Sequence, residues 1–361
     1  MRKFDFPFPE EIILKEICGI PVGIFIHSTK RGPALGGTRA FNYQNMADFF
    51  RDGLNLSSAM TYKAIWARLP LGGGKAVIYA KKKEEILNRE FARKYANLLN
   101  EINADKVKFI TSEDIGCGEE FVDLVSQFTP FITGKSDFGG GLGDPSPLTA
   151  KGVFLAVKAI VEIGFNETLC GKICSVQGAG KTALPLMKML LDEGAVVHFS
   201  EKDGDLLAEK RAQEAEKIGA IRVFENKIYD VSCDIFLPCA IGGTMISRLS
   251  RICKIVVGTA NNILATPEDG KKLHETEIFY LPDYIVNRWG LEWVTQEKNG
   301  ISDKLLAESN LSDIVSDILN ILRVSREKDI APSELADAIS QKILNEKAFT
   351  IEEAFKQFKY K

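Results

Sequence analysis

At 361 residues the chain is longer than one ordinary hydrophobic core organises, so two domains are expected. Hydrophobic residues make up 45% and charged residues 26%, and a formal net charge of -3 gives no electrostatic reason to expect nucleic acid or an anionic membrane as partner. No apolar run approaches the roughly 20 residues that a membrane helix needs, and Asp5 follows the first basic residues too closely for a signal peptide, so a cytoplasmic protein is expected.

Apolar periodicity predicts alternating strands and helices in the first part of the chain. A strand is expected over 20–27, a glycine-rich loop over 32–39 and a helix over 48–60. After the glycines at 72–74 come a strand over 76–80, a helix near 91–102 and a short strand over 107–111. Between 134 and 147 glycines crowd together with two prolines, which reads as a connector between domains. A second series then begins: a strand over 173–177, a helix over 181–193 closed by Gly194, and strands over 196–200, 235–237, 255–257 and 278–281. Such alternation predicts a largely parallel sheet with helices on both faces. Beyond Pro282 the pattern is helical, with one stripe of Leu311, Ile314, Val315, Ile318 and Leu322 and another of Leu335, Ala338, Ile339 and Ile343.

Seven cysteines raise the question of a metal. No two of them have the spacing of a zinc knuckle, and His27, His198 and His274 are scattered. Cys174, Cys233 and Cys253 lie in or beside apolar runs, where a cysteine serves as a small buried hydrophobe. Free thiols in a reducing compartment are therefore expected, and no metal site.

The strand over 173–177 runs into Gly178-Ala179-Gly180-Lys181-Thr182-Ala183 and then a helix. That is the setting of a dinucleotide-binding turn. The first glycine permits the tight turn, the second lets backbone approach a pyrophosphate, and a small Ala183 lets helix and strand pack closely. The helix N-terminus offers unpaired N–H groups to the phosphates. Glu201 ends the next strand, where a carboxylate can hold the adenosine ribose hydroxyls and repel a 2′-phosphate. NAD is therefore expected over NADP, with Lys202 acting against the preference. Gly178–Thr182 also looks like the end of a nucleoside-triphosphatase loop, but that loop needs a glycine where this chain has Ser175.

Two segments of the first domain look chemical. One is Gly32-Pro33-Ala34-Leu35-Gly36-Gly37-Thr38-Arg39. The other pairs Lys63 with Lys75, which stands between Gly72-Gly73-Gly74 and a buried strand. Two lysines converging in a cleft depress each other's pKa, and burial adds to this, giving an amine usable as a base near neutral pH.

These residues closely resemble the glutamate, leucine, phenylalanine and valine dehydrogenase family of amino-acid dehydrogenases. The likeness continues through Thr111-Ser112-Glu113-Asp114, Pro145-Ser146-Pro147-Leu148-Thr149, Pro238-Cys239-Ala240, Gly242-Gly243-Thr244, Ala260-Asn261-Asn262 and Pro282-Asp283-Tyr284, and is nearest to leucine dehydrogenases. It implies an α/β protein of two domains: an N-terminal substrate and oligomerisation domain over 1–134, and a C-terminal Rossmann domain, a doubly wound parallel sheet, over 135–325. Helices over about 326–361 are expected to pack back on the first domain. By position, Lys63 would hold the substrate α-carboxylate with Gly36 and Gly37 shaping its pocket. Lys75 would activate water, and Asp114 would exchange protons with the amino group. Thr149, Ala240 and Asn262 would join Gly178, Ala179, Gly180, Lys181, Thr182 and Glu201 around the cofactor. The implied reaction is reversible NAD-linked oxidative deamination of an amino acid to a 2-oxo acid and ammonia by a homo-oligomer. Glutamate-specific relatives place a lysine at Leu35 and a hydroxyl at Val294, so an apolar substrate is expected here, with Leu35, Leu291 and Val294 lining its side-chain pocket.

Two places depart from the family: Lys181 stands where relatives carry asparagine, a cation compatible with a pyrophosphate, and the segment after Pro282-Asp283-Tyr284 differs. Where relatives have Asn-Ala-Gly-Gly, this chain has Asn287-Arg288-Trp289-Gly290-Leu291-Glu292-Trp293. Two readings stand: the large side chains pack on other elements, or they reshape or block the pocket. The second would suit another kind of protein, a dinucleotide-binding homologue without deaminase activity that acts as a sensor or assembly subunit.

Overall fold

The computed structural model describes residues 8–202, 204–240, 244, 246–249, 253–346 and 349–359. The chain forms two compact units. The first runs to Pro145 and resumes over Leu291–Ser312; the second comprises Ser146–Gly290 and the chain from Asp313 onward.

The first unit opens with a hairpin, β1 (Glu11–Ile17) and β2 (Ile20–Ser28). Its turn is Cys18-Gly19, both with positive φ (53° and 77°), the two-residue geometry that suits the twist of the flanking strands. There follow β3 (Ala34–Phe41), α1 (Met46–Trp66), β4 (Gly72–Tyr79), α2 (Arg89–Ile102), β5 (Phe109–Ser112) and α3 (Glu119–Ser126). The sheet order is β1-β2-β4-β3-β5, with β3 parallel to both its neighbours. Asn45 starts α1 by accepting a hydrogen bond from Asp48 N at 3.0 Å. Both faces of the sheet are covered, as strand alternation shows. Ile24, Ile26, Ala76 and Ile78 join Phe91, Tyr95, Leu99 and Phe121 of α2 and α3, while Phe25 and Val77 join Phe49 of α1.

The loop expected over 32–39 is instead largely strand β3, in the middle of the sheet. Its glycines are needed because of what presses on them. A Cβ on Gly36 would run into the Gly74 carbonyl oxygen, and one on Gly37 would sit 2.9 Å from Asp114 Cβ and collide with the Glu113 carbonyl. The glycines at 72–74 likewise lie inside β4, against Ser28, Thr61 and Phe109.

The second unit begins with α4 (Ser146–Lys158), continued by a wider helical turn over Ala159–Gly164. Then come β6 (Ile173–Gln177), α5 (Ala183–Asp192), β7 (Val196–Ser200), α6 (Leu206–Lys217), β8 (Ile221–Arg222), β9 (Ile235–Pro238), α7 (Ile246–Leu249), β10 (Ile255–Val256), α8 (Pro267–Glu275), β11 (Phe279–Tyr280) and α9 (Asp283–Val286). All strand pairs are parallel, in the order β11-β10-β9-β6-β7-β8. The order reverses between β6 and β9, and Gly178 follows β6 directly. This is the doubly wound arrangement of a dinucleotide-binding sheet, with its crevice at the reversal. Gly194, at φ 82°, ends α5 as expected.

Helix α10 (Trp289–Lys298) and α11 (Lys304–Ser309) precede three C-terminal helices: α12 (Ile314–Lys328), α13 (Pro332–Asn345) and α14 (Ile351–Lys359). The expectation that helices over 326–361 pack back on the first domain is corrected. They belong to the second unit. Ile314, Ile318, Ile321 and Leu322 form the buried face of α12, which packs on α4 and the turn after it, and α13 packs on α8. Arg326 donates to Gly164 O at 2.7 Å. Of the predicted second stripe, Leu335, Ile339 and Ile343 are buried, while Ala338 is exposed and Ala336 takes its place.

Candidate active site

In the first unit, charge is concentrated around Asp114, in the turn after β5. Its Oδ2 receives Lys75 Nζ at 2.7 Å and Arg39 Nε at 2.9 Å. Lys75 comes from β4 and is 3% exposed; Arg39 comes from β3 and is 6% exposed. Arg39 Nη1 reaches Asp52 Oδ2 on α1 at 3.1 Å, and Tyr43 donates to the same oxygen at 2.7 Å. Burial alone would push the Asp114 carboxyl up, but Arg39 and Lys75 beside it outweigh that and hold it well below the usual carboxylate range. Burial pushes the Lys75 ammonium down, against the pull of Asp114, and Arg39 adds to the lowering. The result is a fixed carboxylate facing an amine whose proton is easier to remove than that of a surface lysine.

The other predicted residues of this unit lie close in the fold. Gly37 borders Asp114, and Gly36 pairs with Thr111 in the β3–β5 ladder. Lys63 is buried near the end of α1. The next residue, Ala64, belongs to an apolar cluster with Leu35, Leu71, Ile110, Leu291 and Val294. Thus Leu35, Leu291 and Val294, far apart in sequence, are one apolar surface adjoining the lysine-bearing helix. On α1, Thr61 Oγ1 is 2.7 Å from Nδ1 of the buried His27. Burial lowers the His27 pKa from 6.5 to about 4, so its ring is neutral at pH 7.

In the second unit, Gly178 has φ 99°, and a Cβ there would sit 3.1 Å from that of Ala240. Over Gly180 a Cβ would meet nothing within 4 Å. Lys181 and Thr182 lead into α5, and the Thr182 hydroxyl lies 2.7 Å from that of Thr259. Glu201, just past β7, accepts from Ala179 N at 2.8 Å and from Lys202 N at 3.0 Å, with Arg211 Nε 3.6 Å away. Each carboxylate oxygen keeps a lone pair for further donors. Thr149 stands in the first turn of α4. Asn262 has φ 54°, with its N–H on Asp283 Oδ2 at 3.3 Å. Asn287 Nδ2 donates to Asn261 Oδ1 at 3.0 Å, while its own Oδ1 is buried without a hydrogen-bond partner. Gly242 and Gly243 lie outside the described residues. The open backbone at Gly180 and the short turn into α5 fit a dinucleotide. They leave no room for the longer triphosphate loop.

The large residues of the departing segment are packed within their units. Arg288 is fully buried and pairs with Asp317 at 2.8 Å. Trp289 is buried against Gly152 of α4, beside Val286 and Ile314. Trp293 Nε1 donates to Gly143 O at 3.2 Å. The packing reading describes them.

Two family models match the chain: the dimerisation domain of Glu/Leu/Phe/Val dehydrogenases over residues 17–130, and the glutamate/leucine/phenylalanine/valine dehydrogenase model over 139–341. The chain belongs to this family of amino-acid dehydrogenases. A leucine dehydrogenase of Thermoactinomyces intermedius is 37% identical over 93% of this chain and 90% of its own length. A phenylalanine dehydrogenase of Caldalkalibacillus thermarum (strain TA2.A1) is 34% identical over 91% and 89%. The crystal structure of L-tryptophan dehydrogenase from Nostoc punctiforme superposes with a TM-score of 0.71 at 31% identity, covering 94% of this chain and 96% of the other. The family is of the nicotinamide-dependent kind, and among the described residues no helix is long and apolar enough to cross a membrane.

For an amino-acid dehydrogenase the sequence reading left out Arg39, Asp52 and Tyr43. Arg39 was visible as the end of the glycine segment, but a loop there gave it no direction. As part of a strand it stands two residues from Gly37 and so faces the same way, toward Asp114. Asp52 and Tyr43 carried no signal, since only the fold brings them to Arg39.

Proposed function

We propose that this protein catalyses the reversible NAD-dependent oxidative deamination of an apolar L-amino acid of the leucine type, giving the 2-oxo acid and ammonia. The observation that carries the reading is the buried Lys75–Asp114 pair at 2.7 Å, beside an apolar surface of Leu35, Leu291 and Val294. Lys63 holds the substrate α-carboxylate, with Gly36 and Gly37 shaping that part of the pocket by letting Gly74 and Asp114 approach closely. A bound nicotinamide ring would accept the hydride that leaves Cα. Water then adds to the resulting iminium carbon, and Lys75, in its neutral form, takes the proton from that water. Asp114, a carboxylate at the start, takes a proton from the substrate ammonium before the hydride leaves and returns it to the amino group as that departs as ammonia. It then receives the carbinol O–H proton as the carbonyl of the 2-oxo acid forms.

Leu35 and Val294, nearly inaccessible to solvent among other apolar groups, support an apolar substrate. A γ-carboxylate placed there would lack a partner, at a cost of several kcal/mol. In the second unit, Gly178–Thr182 and the start of α5 would hold the pyrophosphate and Glu201 the adenosine ribose, with Thr149, Ala240 and Asn262 toward the nicotinamide. A carboxylate at 201 favours NAD over NADP. The match of the first unit to a dimerisation domain supports a homo-oligomer. Following NADH formation with a panel of the twenty amino acids tests the reading: leucine, valine and isoleucine should be substrates and glutamate should not. Cofactor binding with no activity toward any amino acid would favour the sensor or assembly role instead.

A further inference from the structure

We infer that Arg39, clamped through Asp52 and Tyr43, is a positioning residue for the Lys75–Asp114 pair: it fixes the carboxylate that Lys75 meets. The inference rests on the deamination reading for its consequence in turnover, although the network itself lies wholly in the first unit.

Hydride loss, water addition and amino-group protonation call for Lys75 and Asp114 only. Yet a nearly inaccessible arginine is bound to the very oxygen, Asp114 Oδ2, that Lys75 contacts. Its other branch spans both oxygens of Asp52, at 3.2 and 3.1 Å. A planar guanidinium held at both ends has no freedom to turn, so it locks the Asp114 side chain in turn. A lysine ammonium would supply the charge without the fork. Tyr43 completes the clamp from the other side of Asp52.

The same atoms act electrostatically. Around Lys75 stand Asp114 and Cys117 from the turn after β5, Arg39 from β3 and Asp52 from α1, with Tyr43 behind Asp52. Lys63 is a further buried cation on α1. Burial raises the Cys117 thiol far enough to keep it neutral. Burial likewise works against the Arg39 charge, but Asp114 and Asp52 outweigh it and keep the guanidinium more firmly protonated than usual. Arg39 therefore disfavours the protonated form of Lys75, whereas Asp52 favours it. Removing either charge should move Lys75 in opposite directions. Loosened packing alone would move both variants the same way, toward the value of a solvated lysine.

The test is the pH dependence of Lys75 acetylation by acetic anhydride, read by mass spectrometry on the whole protein, alongside the pH profile of kcat/KM. Arg39→Met should raise the labelling midpoint by about one pH unit or more, as loss of a close like charge does. Asp52→Asn should lower it, and Arg39→Lys should return it toward the unmodified value while kcat stays reduced. Coincident midpoints, or Arg39→Met and Asp52→Asn moving together, would overturn the inference. If Arg39→Met does not fold, Asp52→Asn decides: a midpoint unchanged or raised overturns the inference. An unmodified protein that oxidises no amino acid would refute the deamination reading, while the labelling midpoints would still decide the role of Arg39.

Discussion

His27 shows what a single buried side chain costs. Its ring stays neutral down to about pH 4 because burial disfavours the charged form, whereas in the unfolded chain it takes a proton near pH 6.5. Between those values the unfolded state binds more protons, so stability falls as the pH drops from 6.5 to 4 and His27 causes no further loss below that. The full loss is about 3 kcal/mol at most. His27→Asn should flatten this part of the profile: denaturant unfolding at pH 7 and pH 4.5 should show a smaller drop for the variant than for the unmodified protein. Equal drops would mean that His27 is hydrated in the folded state. The role proposed for Glu201 in cofactor choice is just as local. NAD should bind more tightly than NADP, and Glu201→Ser should narrow the gap, because the charge that faces a 2′-phosphate is removed. Titration of both cofactors checks this. Equal affinities in the unmodified protein would give the decision to Lys202 and Arg211, the latter 3.6 Å from the carboxylate.

Strand β3 is where the sequence reading was furthest from the structure, and the cause is physical. Gly36 and Gly37 have no side chain to mark an alternating pattern, and glycine is a poor strand former. What makes them strand residues is the close approach of Gly74, Glu113 and Asp114, which no local pattern encodes. Gly36→Ala should therefore destabilise by about 1–3 kcal/mol or more through overpacking, read as a lowered denaturation midpoint. A variant as stable as the parent would mean that β3 and β4 are not so close. The parallel sheet of the second unit was far more legible, since its strands are short apolar runs and its glycines sit at a turn and a helix end. Amphipathic stripes told which face of α12 and α13 is buried but not against what, hence the misplaced C-terminal helices. Trp289 makes a related point. Trp289→Gly should cost about 3–5 kcal/mol, as large-to-small core changes do, and leave the order of substrate preference unchanged. Activity that broadens toward larger amino acids at constant melting temperature would restore the pocket reading.

At the scale of the molecule, the proposed chemistry is shared out by unit. Lys63, Lys75, Asp114 and the apolar surface of Leu35, Leu291 and Val294 belong to the first, and the turn at Gly178–Thr182 with Glu201 belongs to the second. Leu291 and Val294, though far along the chain from Lys75, belong to its unit, because the boundary between units falls inside α10, after Gly290. These residues stand in motifs that the sequence displays; the network of Arg39, Asp52 and Tyr43 around Asp114 was not legible there, because it depends on strand, helix and turn meeting in space. If Lys75 is the base, its loss should remove the chemistry and spare the second unit's ligand. The most direct measurement is the ammonia and NADH released from L-leucine and NAD by the unmodified protein and by Lys75→Ala, with NAD binding followed in parallel. The unmodified protein should release the two products in equal amounts, and the variant should do so about 10²–10⁴ times more slowly while binding NAD as before. Near-parent turnover by Lys75→Ala, or NADH formed without ammonia, would contradict the assignment.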